Sequence, residues 1–149
     1  WAAKRGLPVL AWLRYGQVAA VDFVAGEGLL MAPAYAVSTM LQQAGLALQD
    51  FDLYEIHEAF AAQALATLKA WESAEFCRER PGRTQPLGAI DRERLNVMGG
   101  SLALGHPFAA TGARILGALA SQLARRGSGR GLVSVCTAGG MGVTAIVER

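Results

Sequence analysis

A chain of 149 residues is the size of one domain, and an apolar share of 52% supports a packed core and excludes a disordered segment. A net charge of +2 gives no electrostatic footprint for nucleic acid, and no apolar run reaches the ~20 residues of a membrane-spanning helix. Two cysteines make neither a framework of disulfides nor a zinc spacing, so no metal is expected.

A start at Trp1 rather than Met raises the expectation of a processed or truncated chain. Residues 1–15 carry Lys4, Arg5 and Pro8 without a small-residue cleavage site, so no signal peptide is expected. The sparse cysteines suit a reducing, cytoplasmic compartment, or a mitochondrial matrix in a eukaryote. In chain order, Pro8–Arg14 and Gln17–Val24 read as extended segments about Gly16, one bent strand or two. Pro33 opens a helix at a position where its missing N–H costs nothing. Val37, Met40, Leu41 and Ala44 give that helix its apolar face, and Gly45 caps it. Leu53–Ile56 is a short strand, and the period changes at His57. The stripe Phe60, Ala61, Ala64, Leu65 and Leu68 then predicts a second helix with His57-Glu58 at its start.

Eleven of the charged side chains lie between Lys69 and Arg94, broken by Pro81-Gly82 and Pro86-Leu87-Gly88. The segment from about 71 to 94 reads as an insertion outside the core layer. Trp1, Trp12 and Trp71 read as packing residues. Asn96–Gly105 reads as a glycine-rich loop, and a third helix is predicted from about Pro107 to Arg126, with the stripe Ile115, Leu116, Leu119 and Leu123. Arg125 and Arg126 suit its C-terminal dipole, and Gly127 its cap. Residues 131–136 and 143–147 read as a closing hairpin about Gly139, Gly140 and Gly142. The order implies an α/β fold, a layered mixed β-sheet with helices, in which the hairpin adds an antiparallel edge.

The chain's two histidines and one of its two cysteines fall in three short strings: His57-Glu58-Ala59-Phe60, Gly105-His106-Pro107 and Cys136-Thr137-Ala138-Gly139-Gly140. Both imidazoles are expected at helix starts, where the dipole favours the neutral ring that acts as a base. Cys136 is expected at a strand end, the edge where open α/β sheets place their ligands. The glycines permit close approach of a substrate, and their N–H groups suit a developing oxyanion. Each feature alone has an ordinary structural reading: a core cysteine, a capping histidine, a hairpin turn. Their joint placement at element junctions is what favours chemistry. Cys77 has no such context, and Glu58 reads as a first-turn charge.

The strings His-Glu-Ala-Phe, Gly-Gly-Ser-Leu-Ala-Leu-Gly-His-Pro and Cys-Thr-Ala-Gly-Gly-Met-Gly resemble those of the C-terminal domain of thiolases over almost the whole chain. Among these the resemblance is to the type found as the β subunit of trifunctional β-oxidation complexes. It implies a thiolase-like C-terminal half whose nucleophilic cysteine lies in an N-terminal domain outside this chain. His106 would deprotonate that nucleophile and donate to the thioester oxygen. Cys136 would be the acid–base cysteine, and the Ala138 N–H would join the oxyanion hole. His57 would hold the place where most thiolases carry an asparagine that binds a catalytic water. Phe108 and Gly139 would contact substrate. Ala138 and Ala109 replace common glycines of the family.

The implied activity is CoA-dependent cleavage of 3-ketoacyl-CoA to acetyl-CoA and a shortened acyl-CoA, or the reverse condensation. Coenzyme A would be a co-substrate, with no cofactor bound covalently. A homo-oligomer is implied for the full-length chain; the 71–94 segment reads either as a solvated loop or, as the resemblance favours, as a docking surface for a hydratase/dehydrogenase subunit or a membrane. Two other readings compete. A ketoacyl-synthase-type condensing enzyme would carry histidine or asparagine in place of Cys136. A lipid-binding or scaffold protein with a thiolase-like fold would have no need of His106 and Cys136 together.

Overall fold

A computed structural model describes residues 1–149. Its centre is a four-stranded mixed sheet in the order β1-β4-β3-β2, from β1 (Trp12–Ala20), β2 (Leu53–Ile56), β3 (Arg130–Thr137) and β4 (Met141–Glu148). β2 and β3 run parallel, joined by a long crossover, while β4 is antiparallel to both β3 and β1. The closing hairpin is therefore the middle of the sheet rather than its edge. β4 supplies ladder partners on both sides, and β1 takes the edge beside it, with a register shift between Leu13 and Tyr15. β1 is one strand that ends at Ala20. Residues expected to continue it to Val24 turn instead, because Asp22 Oδ1 accepts the N–H groups of Val24 and Ala25 and holds the backbone in a turn.

Helix α1 (Ala32–Ala44) begins with Pro33 in its first turn and ends at Gly45 in the left-handed conformation, as the sequence predicts. It lies over β1 and β4, burying Val37, Met40 and Leu41 completely in the main core with Leu132 and Ile146. Helix α5 (Thr111–Arg126) covers the opposite face over β2 and β3, where Ile115, Leu119 and Leu123 pack on Val133 and Val147. Burying each of these side chains contributes roughly 1.5–3 kcal/mol, so these helices and strands form the rigid frame. β4 alternates faces, which puts Val143 on the α5 side with Val147. Val143 and its partner Val18 lie beyond the helix, and they remain 44% and 66% exposed.

Three expectations about the crossover need correction. Helix α2 spans Ala61–Glu72 and starts four residues after His57. Its buried face is Gln63, Thr67, Leu68, Ala70 and Trp71, whereas Phe60 and Leu65 of the expected stripe are exposed. Periodicity identifies an apolar stripe but not which tertiary layer covers it. The segment at 71–94 is not outside the core. Trp71, Cys77 and Leu87 are all buried in the main cluster, with Cys77 presented by the short helix α3 (Ala74–Glu79). Of the three tryptophans only Trp71 packs inside; Trp1 and Trp12 are largely exposed, Trp1 beneath the Arg5 guanidinium. Finally, the loop at 96–105 contains a single helical turn, α4 (Ser101–Leu104), and α5 begins at Thr111 rather than Pro107.

Candidate functional site

The site forms where β2 and β3 end. Past Ile56, the chain continues alongside β3 for one more residue, with the His57 N–H bonded to Ser134 O at 2.8 Å. The 96–105 segment is pinned to this strand end by Asn96. Its backbone N–H bonds to Tyr54 O, its Oδ1 accepts the Ile56 N–H, and its Nδ2 donates to Ile56 O and to Glu58 Oε1. One asparagine thus imitates an extra strand, and φ of 47° is a value asparagine tolerates better than most residues. Glu58 completes the clamp by accepting the Leu102 N–H at the start of α4. Glu58 therefore caps α4, not α2, which is why residues 57–60 stay outside the helix and it begins late.

Gly100 is required at the centre of this clamp. A Cβ there would sit 2.2 Å from Glu58 Oε2 and 2.7 Å from Asn96 Nδ2. We expect Gly100→Ala to expel the carboxylate and destabilise the protein by roughly 1–3 kcal/mol, the cost of unmaking part-buried and exposed charge-assisted hydrogen bonds together with the steric clash. Urea unfolding checks this, and a midpoint equal to that of the parent would contradict the clamp.

The clamp brings the two histidines together. Their ring centroids are 4.3 Å apart, and Phe108 stacks on His106 at 4.9 Å. His57 is 2% exposed, while His106 and Phe108 are open to solvent. Neither imidazole sits directly at a helix start, as the sequence led us to expect. The neutral form of His57 is favoured by a different cause. Burial pushes its pKa down, the neighbouring His106 and Arg114 push the same way, and Glu58 opposes. His57 Nδ1 meets Ser101 Oγ at 2.8 Å, and Arg114 of α5 donates to the same Oγ at 3.0 Å. His106 Nδ1 meets Thr111 Oγ1 at 2.7 Å, the first residue of α5, whose hydroxyl donates to Pro107 O at 3.1 Å.

Cys136 lies one residue from the end of β3, 5% exposed, as expected for a strand-end thiol. Burial pushes its pKa up, although hydrogen bonds from its own backbone and from that of Ala59 pull the other way. Its partner across the hairpin is Gly142, and a Cβ at Gly142 would meet Pro33 N at 2.6 Å. The start of α1 therefore closes tightly over this strand end.

The turn after Cys136 places Ala138 and Gly139 at the surface. Gly139 and Gly140 take positive φ of 84° and 74°, but Ala138 does not, so alanine costs nothing there. Ala109 is different, with φ of 64°. That conformation costs an L-residue roughly 1–2 kcal/mol, partly offset by the extra chain entropy a glycine loses. Ala109→Gly is expected to stabilise the protein by up to about 1 kcal/mol, read as a rise in the thermal midpoint; a fall would show that the Ala109 methyl packs usefully.

Sequence reasoning missed Asn96, Ser101, Thr111 and Arg114. Ser101 lies inside a string read for its glycines and histidine, and Thr111 and Arg114 read as ordinary helix residues. No group of three or more His, Cys, Asp or Glu side chains is arranged to hold a metal ion.

Residues 7–149 match the family model described as the C-terminal domain of thiolase. The chain belongs to the thiolase C-terminal domain family. Over 147 residues it is 50% identical to a 3-ketoacyl-CoA thiolase of Colwellia psychrerythraea and 48% identical to one of Aeromonas salmonicida, covering 99% of this chain and 33% of each relative. The chain thus spans about a third of the length of these curated relatives. Among solved structures, human mitochondrial 3-ketoacyl-CoA thiolase superposes with a TM-score of 0.78 at 33% identity, and the Bacillus anthracis acetyl-CoA acetyltransferase with 0.77 at 39%. Each alignment covers 99% of this chain and 32% of the solved chain. The thiolase fold expected from the sequence is therefore the fold of this chain.

Proposed function

We propose that this chain is the C-terminal catalytic part of a 3-ketoacyl-CoA thiolase, an acyltransferase of fatty-acid β-oxidation. The observation that carries the reading is the pair of imidazoles with ring centroids 4.3 Å apart, at the sheet end where Cys136 lies near the close of β3. The Thr111 hydroxyl directs its proton to Pro107 O, so it accepts from His106 Nδ1–H and leaves Nε2 bare as a base. In thiolysis, His106 takes the proton of a nucleophilic cysteine supplied from outside residues 1–149. The thiolate adds to the keto carbon of the substrate, and the bond between C2 and C3 breaks. Its electron pair passes to C2 as the enolate of acetyl-CoA, and the Cys136 thiol protonates C2. A second coenzyme A then transfers its thiol proton to the Cys136 thiolate, its sulfur takes the acyl group, and the released nucleophile recovers its proton from His106. The Ala138 N–H is assigned to the oxyanion hole, and Phe108 and Gly139 to substrate contact; all three are exposed, which suits contact with a bound thioester.

Acyl-CoA and coenzyme A are the proposed small-molecule partners, in a cytoplasmic or matrix compartment. The uncovered apolar strip about Val18 and Val143 supports assembly with the rest of the protein and into a homo-oligomer. The exposed rim of the 71–94 segment is the proposed docking surface for a hydratase/dehydrogenase subunit. Because Cys77 and Leu87 anchor the segment in the core, that docking is tested by reversing exposed charges such as Arg78 and Arg92 rather than by deletion.

The test of the activity is 3-ketoacyl-CoA thiolysis by the full-length protein. His106→Ala is expected to lower turnover on the order of 10²–10⁴-fold. Full activity in that variant would remove His106 from the role of base, and no activity in the parent would turn the reading toward a non-catalytic thiolase-like protein.

A further inference from the structure

We infer that Ser101 and Arg114 are positioning residues that hold His57 in the neutral tautomer with its proton on Nε2. The inference rests on the proposed function only for its consequence in turnover; the tautomer itself follows from counting protons.

Ser101 Oγ has one proton and two lone pairs. Arg114 Nη2 reaches it at 3.0 Å, and a guanidinium only donates, so one lone pair is taken. Oγ has one other partner in the chain, His57 Nδ1 at 2.8 Å. If Nδ1 carried a proton, Oγ would accept twice and its own proton would be left in a buried space, since Ser101 is 6% exposed. The satisfied arrangement runs one way: Arg114 donates to Ser101, Ser101 donates to Nδ1, and the His57 proton sits on Nε2. Nε2 has no protein partner.

The charges around the ring reinforce the lock. His57 is faced by His106 from the 105–107 turn and Arg114 from α5, which oppose a positive charge, and by Glu58 on its own turn, which favours one. The Glu58 carboxylate is already engaged by Asn96 and the Leu102 N–H. Arg114 has a carboxyl neighbour in buried Glu55, whose pKa burial pushes up while the Gln122 hydrogen bond at 2.8 Å and the Arg114 charge pull down.

The consequence is a division of labour between two like side chains 4.3 Å apart. His57 is a fixed hydrogen-bond donor toward an oxygen atom of substrate or water, and it is not a second base. Its place in the site is set by α5, through an arginine that touches no reacting atom.

The experiment uses the full-length protein with 15N-labelled histidine rings, the His57 signals being identified by their loss in His57→Gln. Protonated and bare ring nitrogens resonate far apart, so the tautomer is read directly. The expected spectrum at neutral pH shows a bare Nδ1 and a protonated Nε2 on His57. Ser101→Ala is expected to introduce the other tautomer and lower kcat about ten- to a hundredfold with little change in KM, while Ser101→Thr keeps both the spectrum and kcat. A His57 protonated on Nδ1 in the parent overturns the inference even if a variant fails to fold. So does a Ser101→Ala variant with the parent tautomer. The inferred tautomer in a protein without thiolysis would leave the positioning role standing and overturn the proposed function instead.

Discussion

The 149-residue chain by itself is expected to give no thiolysis of acetoacetyl-CoA or a longer 3-ketoacyl-CoA above background. Acyl transfer of this kind needs a thiolate nucleophile, and neither cysteine of the chain is one. Cys77 is 1% exposed inside the main core, where its thiol faces the carbonyls of Ala70 and Trp71 at 3.5 and 3.6 Å. The thiol donates to these two carbonyl oxygens, and no substrate reaches it. Cys136 lies at the site, but burial raises its pKa, so it holds its proton at neutral pH. In the proposed reaction this chain would contribute proton transfer and hydrogen bonding. The measurement is thiolysis by the purified chain, beside the same chain supplied with the remainder of the protein. Turnover well above background from the chain alone would show that one of its own cysteines forms the acyl-enzyme. It would overturn the assignment of the nucleophile to a separate domain.

In the full-length protein, Cys136→Ser is expected to lower turnover on the order of 10²–10⁴-fold while leaving acylation of the nucleophile intact. That loss corresponds to about 3–5 kcal/mol of transition-state stabilisation. The physical reason is proton affinity. Burial raises the Cys136 thiol above its ordinary value, and a serine hydroxyl gives up its proton far less readily than a thiol. Serine is close in size to cysteine, and the tight contact of α1 with this strand end is unaltered, so the fold is expected to survive. Acyl-enzyme formation measured by mass, together with steady-state turnover, separates the two steps. Near-normal turnover in a fully acylated Cys136→Ser variant would remove Cys136 from the enolate step.

The sequence by itself determined the elements whose signals are local. Pro33 and Gly45 bound α1 because a proline suits a first helical turn and a glycine the left-handed cap. Leu53–Ile56 and the β3–β4 hairpin follow from short apolar runs and the glycines between them. The three strings about His57, His106 and Cys136 also carried the family resemblance, because their residue types and order are properties of the chain alone. Tertiary structure decided the rest. The hairpin lies in the middle of the sheet because β1, far away in sequence, adds to the free edge of β4, and no local pattern encodes that pairing. The start of α2 moved to Ala61 because Glu58 is drawn to α4 and Asn96, partners about 40 residues distant. Cys77 and Leu87 enter the core in spite of the charges around them, since burial depends on which layer covers a side chain and not on its neighbours in sequence. The strings named the two imidazoles but not their states. Those depend on Ser101, Thr111 and Arg114, ordinary polar residues until the fold sets their hydroxyls and guanidinium within hydrogen-bond reach of the rings and of one another.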